Sequence, residues 1–388
     1  MTAALAMAKA GASLWLSRVS LSDFRSYEQV VVEPDARPLV LTGPNGAGKT
    51  NLLEAVSLLT PGRGLRRARL EELGRRGAPT PTWAVAAEVM TPEGLRSLGT
   101  GRDSARPGAA GERRVVKVDG GFARSQRVLS EILHMVWLTP QMDGLFREGA
   151  SARRRFLDRL VYGFDAAHAG RIAAYEQALR QRARLLKSRQ GDGTWLDGLE
   201  HGLAERGVAI AAARRELVAR LNQACSAGVG PFPRAAVAVA GEVEDWLAAM
   251  PALSAEDTLR DRLAETRARD AEGGGAAVGP HRSDLAVSHL ESNLPAAQCS
   301  TGEQKALLLS IVLAHGRLLT LERGAAPILL LDEVAAHLDA TRRTALFEEL
   351  LALGAQVWLT GTDPEFFAEL GDAAQFFEVR EARIRPAA

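Results

Sequence analysis

Apolar and polar residues alternate along Trp15–Asp23 and again along Trp83–Val89, the period-two pattern of half-buried strands. Leu39–Thr42 is a short apolar run. Asn51–Leu59 puts Leu52, Leu53, Val56 and Leu59 on one helical face before Pro61-Gly62 stops it. Residues 99–112, rich in Gly, Ser, Pro and charge, read as a mobile connection between strands. From about Ser151 to about Gly275 the period lengthens to that of helices. Leu196, Leu203, Ile210 and Leu217 recur at sevens, and an earlier stripe runs through Ile172, Tyr175, Leu179 and Leu186. With a turn at Ser188–Gly193 between them, these predict an antiparallel helical hairpin or a plain amphipathic pair on a globular core. Strand patterning returns after Gly273–Pro280. Ile328–Leu331 and Val357–Thr360 are continuous apolar runs of the kind buried on both faces of a parallel sheet, and Phe376–Val379 with Ala382–Ile384 reads as a hairpin. The pattern predicts an α/β class: a head formed by 13–150 and 276–388, interrupted by a helical lobe at 151–275.

Composition narrows the function classes. A chain of 388 residues with 46% hydrophobic and 24% charged content can bury a sizeable core. A formal net charge of +1 excludes a globally basic nucleic-acid coat, so any DNA contact must come from local arginine clusters. Cys225 and Cys299 are too few for a disulfide scaffold or a structural zinc site. The N-terminal MTAALAMAKAGASLWL lacks the layout of a signal peptide and is expected to be a poorly ordered leader. No window looks long and apolar enough to span a bilayer, so a cytoplasmic protein without a membrane role is expected.

Only five residues are lysine (Lys9, Lys49, Lys117, Lys187 and Lys305), so a lysine at Lys49 suggests a need for a compact ammonium. It belongs to Gly43-Pro44-Asn45-Gly46-Ala47-Gly48-Lys49-Thr50, which matches G-x-x-x-x-G-K-[ST] after an apolar strand and at a helix start. In such a loop backbone N–H groups cradle phosphate oxygens. Lys49 would reach the β/γ-phosphates of ATP, and Thr50, followed by Asn51, would hold Mg²⁺. Far downstream, Ile328–Leu331 delivers Asp332 to the metal side of those phosphates, and Glu333 can orient or deprotonate the attacking water. Ser300-Thr301-Gly302-Glu303-Gln304 at a helix start reads either as a capping box or as the signature of ABC-type sites. In the second reading Ser300 and Gly302 cap the γ-phosphate of a nucleotide held by a second subunit. Gln141 stands where such proteins place a Q-loop glutamine near Mg²⁺ and water, and Asp339 resembles the D-loop acid. Where ABC ATPases commonly carry a switch histidine the chain reads Leu359-Thr360-Gly361-Thr362, so γ-phosphate sensing would fall to Thr360 or Thr362 and turnover should be slow.

Beyond these, the chain resembles the RecF recombination mediators. The resemblance rests on Leu21-Ser22-Asp23-Phe24-Arg25-Ser26-Tyr27, Gly62–Arg66, Arg153–Asp158, Gly279–Leu285 and Ser300–Lys305, in that order. It spans roughly Leu14 to the C-terminus, is weak in Pro92–Arg113 and Ser226–Ala271, and departs at Ala183, where the family's helix usually carries Asn. The family implies an ATP-dependent homodimer that recognises junctions of single-stranded and gapped double-stranded DNA and works with RecO and RecR. It also places Arg25 near the nucleotide. Three arginine clusters could meet phosphate: Arg63/Arg66/Arg67/Arg69, Arg153–Arg155 with Arg159, and Arg180/Arg182/Arg184/Arg189. Each could equally be a solvated helix face, and Arg153–Arg155 could instead bridge the insertion to the head. Two other functions share many of these residues: the nucleotide-binding subunit of a transporter, and a clamp whose ATP site switches dimerisation without turnover.

Overall fold

The computed structural model describes residues 14–80, 82–102, 114–188 and 193–387, with His337 described by its backbone alone. Residues 1–13 of the expected N-terminal leader, most of the 99–112 connection and residues 189–192 of the turn lie outside the described residues, while Trp15 and Leu16 of that leader are already strand. The described chain falls into two compact units. One comprises 14–143, Gly228–Phe232 and 308–387; the other comprises Gly144–Ala227 and Pro233–Leu307.

In the first unit, β1 (Trp15–Phe24), β2 (Tyr27–Val32), β4 (Trp83–Thr91), β5 (Gly94–Arg102), β6 (Arg114–Val118) and β7 (Gly121–Phe122) form an antiparallel sheet in the order β2-β1-β4-β5-β6-β7. Residues 99–102 are therefore strand, not connection. A second sheet has the order β14-β13-β3-β12-β11-β8, formed from β3 (Leu39–Thr42), β8 (Met135–Leu138), β11 (Ile328–Asp332), β12 (Val357–Gly361), β13 (Gln375–Arg380) and β14 (Arg383–Pro386). All pairs in it are parallel except the β13–β14 hairpin. Every residue of β3, β8, β11 and β12 is buried, which is why these strands read as unbroken apolar runs. Register aligns Thr42 with Gly361, Thr360 with Asp332 and Leu331 with Leu138, so the segments after these strands leave the sheet at one edge. In open parallel sheets that edge is where ligands bind.

Helix α1 (Lys49–Ser57) follows β3 and buries Leu52, Leu53 and Val56; the six-residue α2 is Arg127–Ile132. Two buried polar side chains fasten this unit. Gln356 accepts the Leu16 N–H at 3.0 Å and donates to the carbonyls of Leu16 at 3.0 Å and Asp35 at 2.7 Å, tying β1 to the start of β12. Arg114, 6% exposed, donates to the carbonyls of Leu58, Gly62 and Thr60 where α1 ends, and to the Thr100 hydroxyl. Burial lowers its pKa to about 10. A cation facing the carbonyl end of a helix is favourably placed.

The second unit holds α3 (Ala150–Tyr162), α4 (His168–Ser188), α5 (Gly193–Ser226), α6 (Glu242–Ala249), α7 (Ala252–Glu265) and α8 (Arg267–Gly273). Its core joins Tyr175 to Leu203, Ile210 and Leu259, so the stripes of α4 and α5 meet as their spacing predicts. The segment is not wholly helical. Strand β9 (Ala235–Ala240) pairs antiparallel with β10 (Asp284–His289), because alternating Ala and Val suit a small pleated ribbon as well as a helix.

The chain continues into α9 (Thr301–Arg323) and, beyond β11, α10 (Ala340–Leu353). Contrary to expectation, α9 is long and apolar enough to cross a membrane, but most of its apolar stretch is buried inside the protein. It is a core helix.

Replacing Gln356 by Leu leaves the Leu16 N–H and the Trp358 indole N–H without their acceptor in the core and should cost about 1–3 kcal/mol. Urea denaturation measures this; an unchanged midpoint would show that Gln356 does not fasten the two sheets.

Candidate functional site

The loop between β3 and α1 depends on glycines. Gly43, at φ 149°, passes so close to β13 that a Cβ would stand 2.1 Å from the Val379 carbonyl oxygen. Gly48, at φ 118°, would meet Tyr27 Oη at 2.7 Å, and that hydroxyl donates to the Gly48 carbonyl at 3.1 Å. The β1–β2 turn thus backs the loop from behind. Lys49 is 4% exposed and folds onto the loop, its Nζ donating to the carbonyls of Gly43 at 2.6 Å and Pro44 at 3.0 Å. Burial lowers its pKa, against the opposing charges of Glu333 and Asp332.

Across from the loop, the Thr50 hydroxyl donates to Asp332 Oδ1 at 3.0 Å, and the Thr360 hydroxyl donates to the same oxygen at 2.7 Å. Burial raises the Asp332 pKa, with the neighbouring Glu333 charge adding to it and the two hydroxyl bonds opposing it. Glu333 has a left-handed backbone, φ 54°, and donates its N–H to Thr360 Oγ1 at 2.9 Å. The structure therefore brings Lys49, Thr50, Asp332 and Glu333 together as the sequence predicts. Thr360 is 1% exposed and committed to Asp332 and Glu333, whereas Thr362 is exposed beyond the strand end.

The other candidates are placed differently. Gln141 is exposed on the turn Pro140–Gly144 that follows β8. Asp339 caps α10, its carboxylate accepting the Arg342 N–H at 2.8 Å. Arg25, at φ 53°, lies beside α1 with its guanidinium gripped by the buried Glu54 at 2.8 and 2.9 Å. It also donates to the Glu72 carbonyl at 2.7 Å. Asn51 donates to Ser26 Oγ at 2.9 Å and accepts from Arg66 at 2.9 Å. In the second unit Ser300 and Glu303 form the capping box. The Glu303 N–H donates to Ser300 Oγ at 3.3 Å and the Ser300 N–H donates to Glu303 Oε2 at 2.8 Å, with Ser300, Thr301 and Gly302 all exposed.

Two arginine clusters change meaning. Arg153 grips Asp284 at 2.8 and 2.7 Å and Arg154 donates to the Ser283 carbonyl at 2.6 Å, so Arg153–Asp158 and Gly279–Leu285 meet inside the second unit. In the same place Arg214 holds Asp158 at 2.7 and 2.9 Å and donates to the Pro280 carbonyl at 2.6 Å, and His168 bonds Asp158 at 3.0 Å. Burial pushes the Asp158 carboxyl up, but His168 and Arg214 more than offset it and leave it below the usual range. Arg182 is 1% exposed and bonds Glu200 and Asp270, each at 2.8 Å. These arginines are structural. Arg63, Arg155, Arg180 and Arg184 stay exposed, and Arg189 lies outside the described residues. Tyr27, Glu54, Arg114 and the hydrogen bonds of Thr360 escaped sequence reading; for Tyr27 the signal was its place in the Leu21–Tyr27 block.

The glycine cradle and the Thr50–Asp332 pair fit a phosphate ester with Mg²⁺. One hydroxyl and one carboxylate are a sparse oxygen set of the kind that suits Mg²⁺, an ion that usually keeps water and substrate phosphates among its ligands. Among the described residues no cluster of three or more His, Cys, Asp or Glu offers an alternative metal site.

This fold and site define the head of an ABC/SMC-type P-loop ATPase carrying a helical insertion. The family model of the RecF/RecN/SMC N-terminal domain matches residues 15–384. The DNA replication and repair protein RecF of Rhizobium rhizogenes is 47% identical over 373 residues, 96% of this chain and 98% of that protein. RecF of Agrobacterium fabrum is 47% identical over 371 residues, covering 95% and 98%. The chain belongs to the RecF family. Its fold is that of a solved recombination mediator protein RecF-ATPrS of the RecFOR pathway, at TM-score 0.83, 22% identity and coverage of 97% and 99%. An Smc head from Pyrococcus furiosus is more distant, at TM-score 0.53, 15% identity and coverage of 96% of each chain.

Because a Cβ at Gly43 would collide with backbone, Gly43→Ala should force the loop from β13 and lower stability by about 2 kcal/mol or more. Chemical denaturation checks this, and a variant as stable as the parent would contradict the close approach.

Proposed function

We propose that the chain is an ATP-dependent DNA-binding protein of recombinational and replication-gap repair. It binds junctions of single- and double-stranded DNA, dimerises on ATP and is reset by slow hydrolysis. The observation that carries the nucleotide half is the Thr50 hydroxyl 3.0 Å from the Asp332 carboxylate, beside a loop whose Gly43 and Gly48 pack too closely on β13 and Tyr27 to admit a side chain. The DNA half rests on family membership and on the exposed arginines Arg63, Arg155, Arg180 and Arg184.

In this reading Lys49 would leave the Gly43 and Pro44 carbonyls for the β/γ-phosphates, Thr50 and Asp332 would hold Mg²⁺, and Gln141 would serve that ion and the attacking water. Bound Mg²⁺ would neutralise developing phosphate charge. Glu333 orients and deprotonates the attacking water. Asn51 and Arg25 line the nucleotide side of the loop, Arg25 being held in place by Glu54. Ser300 and the Gly302 N–H, at an exposed helix start, cap the γ-phosphate bound to a second copy, and Asp339 lies across the same junction. The functional division is a head of 13–150 and 276–388 with a lobe of 151–275, although Ser300–Gln304 packs with the lobe's compact unit. RecO and RecR are the proposed partners, by family resemblance and the RecFOR pathway of the solved relatives. A cytoplasmic location follows from that role.

Glu333→Gln should lower turnover by about a hundredfold or more and leave a long-lived ATP dimer on size exclusion. A variant dimer that dissociates as fast as the parent's would instead favour a clamp that switches without hydrolysis. Ser300→Arg should keep ATP affinity in the monomer, read by calorimetry, yet abolish dimerisation; weakened monomer affinity would mean that the site is not shared between copies.

A further inference from the structure

The strand order puts β12 between the strand that leads into the phosphate loop and the strand that ends in Asp332. Thr360 faces Asp332 in register across β12 and β11. Its hydroxyl does two things at once. It donates to Asp332 Oδ1 at 2.7 Å and accepts the Glu333 N–H at 2.9 Å. Glu333 is held at φ 54°, a left-handed conformation that a residue with a Cβ adopts only under constraint. Thr360 is 1% exposed, so the acceptor that holds the Glu333 N–H belongs to the buried interior.

We propose that Thr360 is a positioning residue for hydrolysis: its hydroxyl fixes the backbone of Glu333 in the left-handed conformation, and with it the direction in which the Glu333 carboxylate leaves β11. The inference rests on the reading of Glu333 as the group that orients water. It reverses the expectation of Thr360 as a γ-phosphate sensor, because the hydroxyl has no proton left for phosphate once it donates to Asp332. Without the hydroxyl the Glu333 N–H loses its acceptor, the left-handed turn relaxes and the carboxylate drifts. A displacement of about 1 Å at a reacting group can cost about a hundredfold in rate. Phosphate binding through Lys49 and the glycine loop is untouched.

The test is steady-state ATP hydrolysis by the full chain at saturating Mg²⁺, comparing Thr360→Val, Thr360→Ser and Glu333→Gln, with folding checked by circular dichroism. Thr360→Val should lose about a hundredfold in kcat with KM within about threefold of the parent, and Thr360→Ser should stay within about threefold in both. A merely structural role would not split kcat from KM, nor be rescued by serine. If the valine variant fails to fold, Thr360→Ala, which removes the hydroxyl without placing a methyl against Asp332, carries the same comparison. Should Glu333→Gln abolish turnover while the hydroxyl-free variant keeps its kcat, the positioning role is overturned and the Glu333 reading stands. Should Glu333→Gln hydrolyse ATP like the parent, the Glu333 reading fails, and this inference with it.

Discussion

Everything at the site depends on one carboxylate oxygen. Asp332 Oδ1 accepts from Thr50 at the head of α1 and from Thr360 on the neighbouring strand, so a helix and two strands converge on a single buried acceptor. A buried carboxylate without a cation in contact must be satisfied by other donors, and two hydroxyls do this at modest cost while leaving it able to ligate. The surrounding framework keeps those donors in place. Arg114 pins the far end of α1, Tyr27 backs Gly48, and Gln356 fixes the antiparallel sheet to the parallel one.

The second unit uses charge in another way. Arg182 with Glu200 and Asp270, and Arg214 with Asp158, are ion pairs almost wholly removed from water. Such pairs add little net stability over apolar packing, but losing one partner is costly because an uncompensated charge stays behind. They specify how α3, α4 and α5 meet. Arg153–Asp158 and Gly279–Leu285, two of the blocks that carry the family resemblance, are conjoined by this architecture, which takes up Arg153 and Arg154 and leaves Arg155 exposed.

Much of this was legible before the structure. Ile328–Leu331 read as a buried parallel strand because nothing polar interrupts it, Leu39–Thr42 read as a short apolar strand, and Lys49, Thr50, Asp332 and Glu333 declared themselves by type and spacing. What stayed hidden was hidden for physical reasons. The Ala/Val alternation of β9 suits strand and helix alike. The apolar length of α9 is masked by scattered polar residues. An arginine's partner is fixed by tertiary contact, so Arg182 looked as solvated as Arg180 although one is buried and the other exposed. Thr360 could be read only as a replacement for a missing histidine, because its register opposite Asp332 is a property of the sheet.

The central claim is that this site gathers two copies of the chain around ATP at a DNA junction. Light scattering of the full chain, alone, with ATP and Mg²⁺, and with gapped duplex added, tests it most directly. A monomer that becomes a dimer with ATP and Mg²⁺, more completely when gapped duplex is present, is the predicted result. A mass that ATP leaves unchanged, with or without DNA, would contradict it.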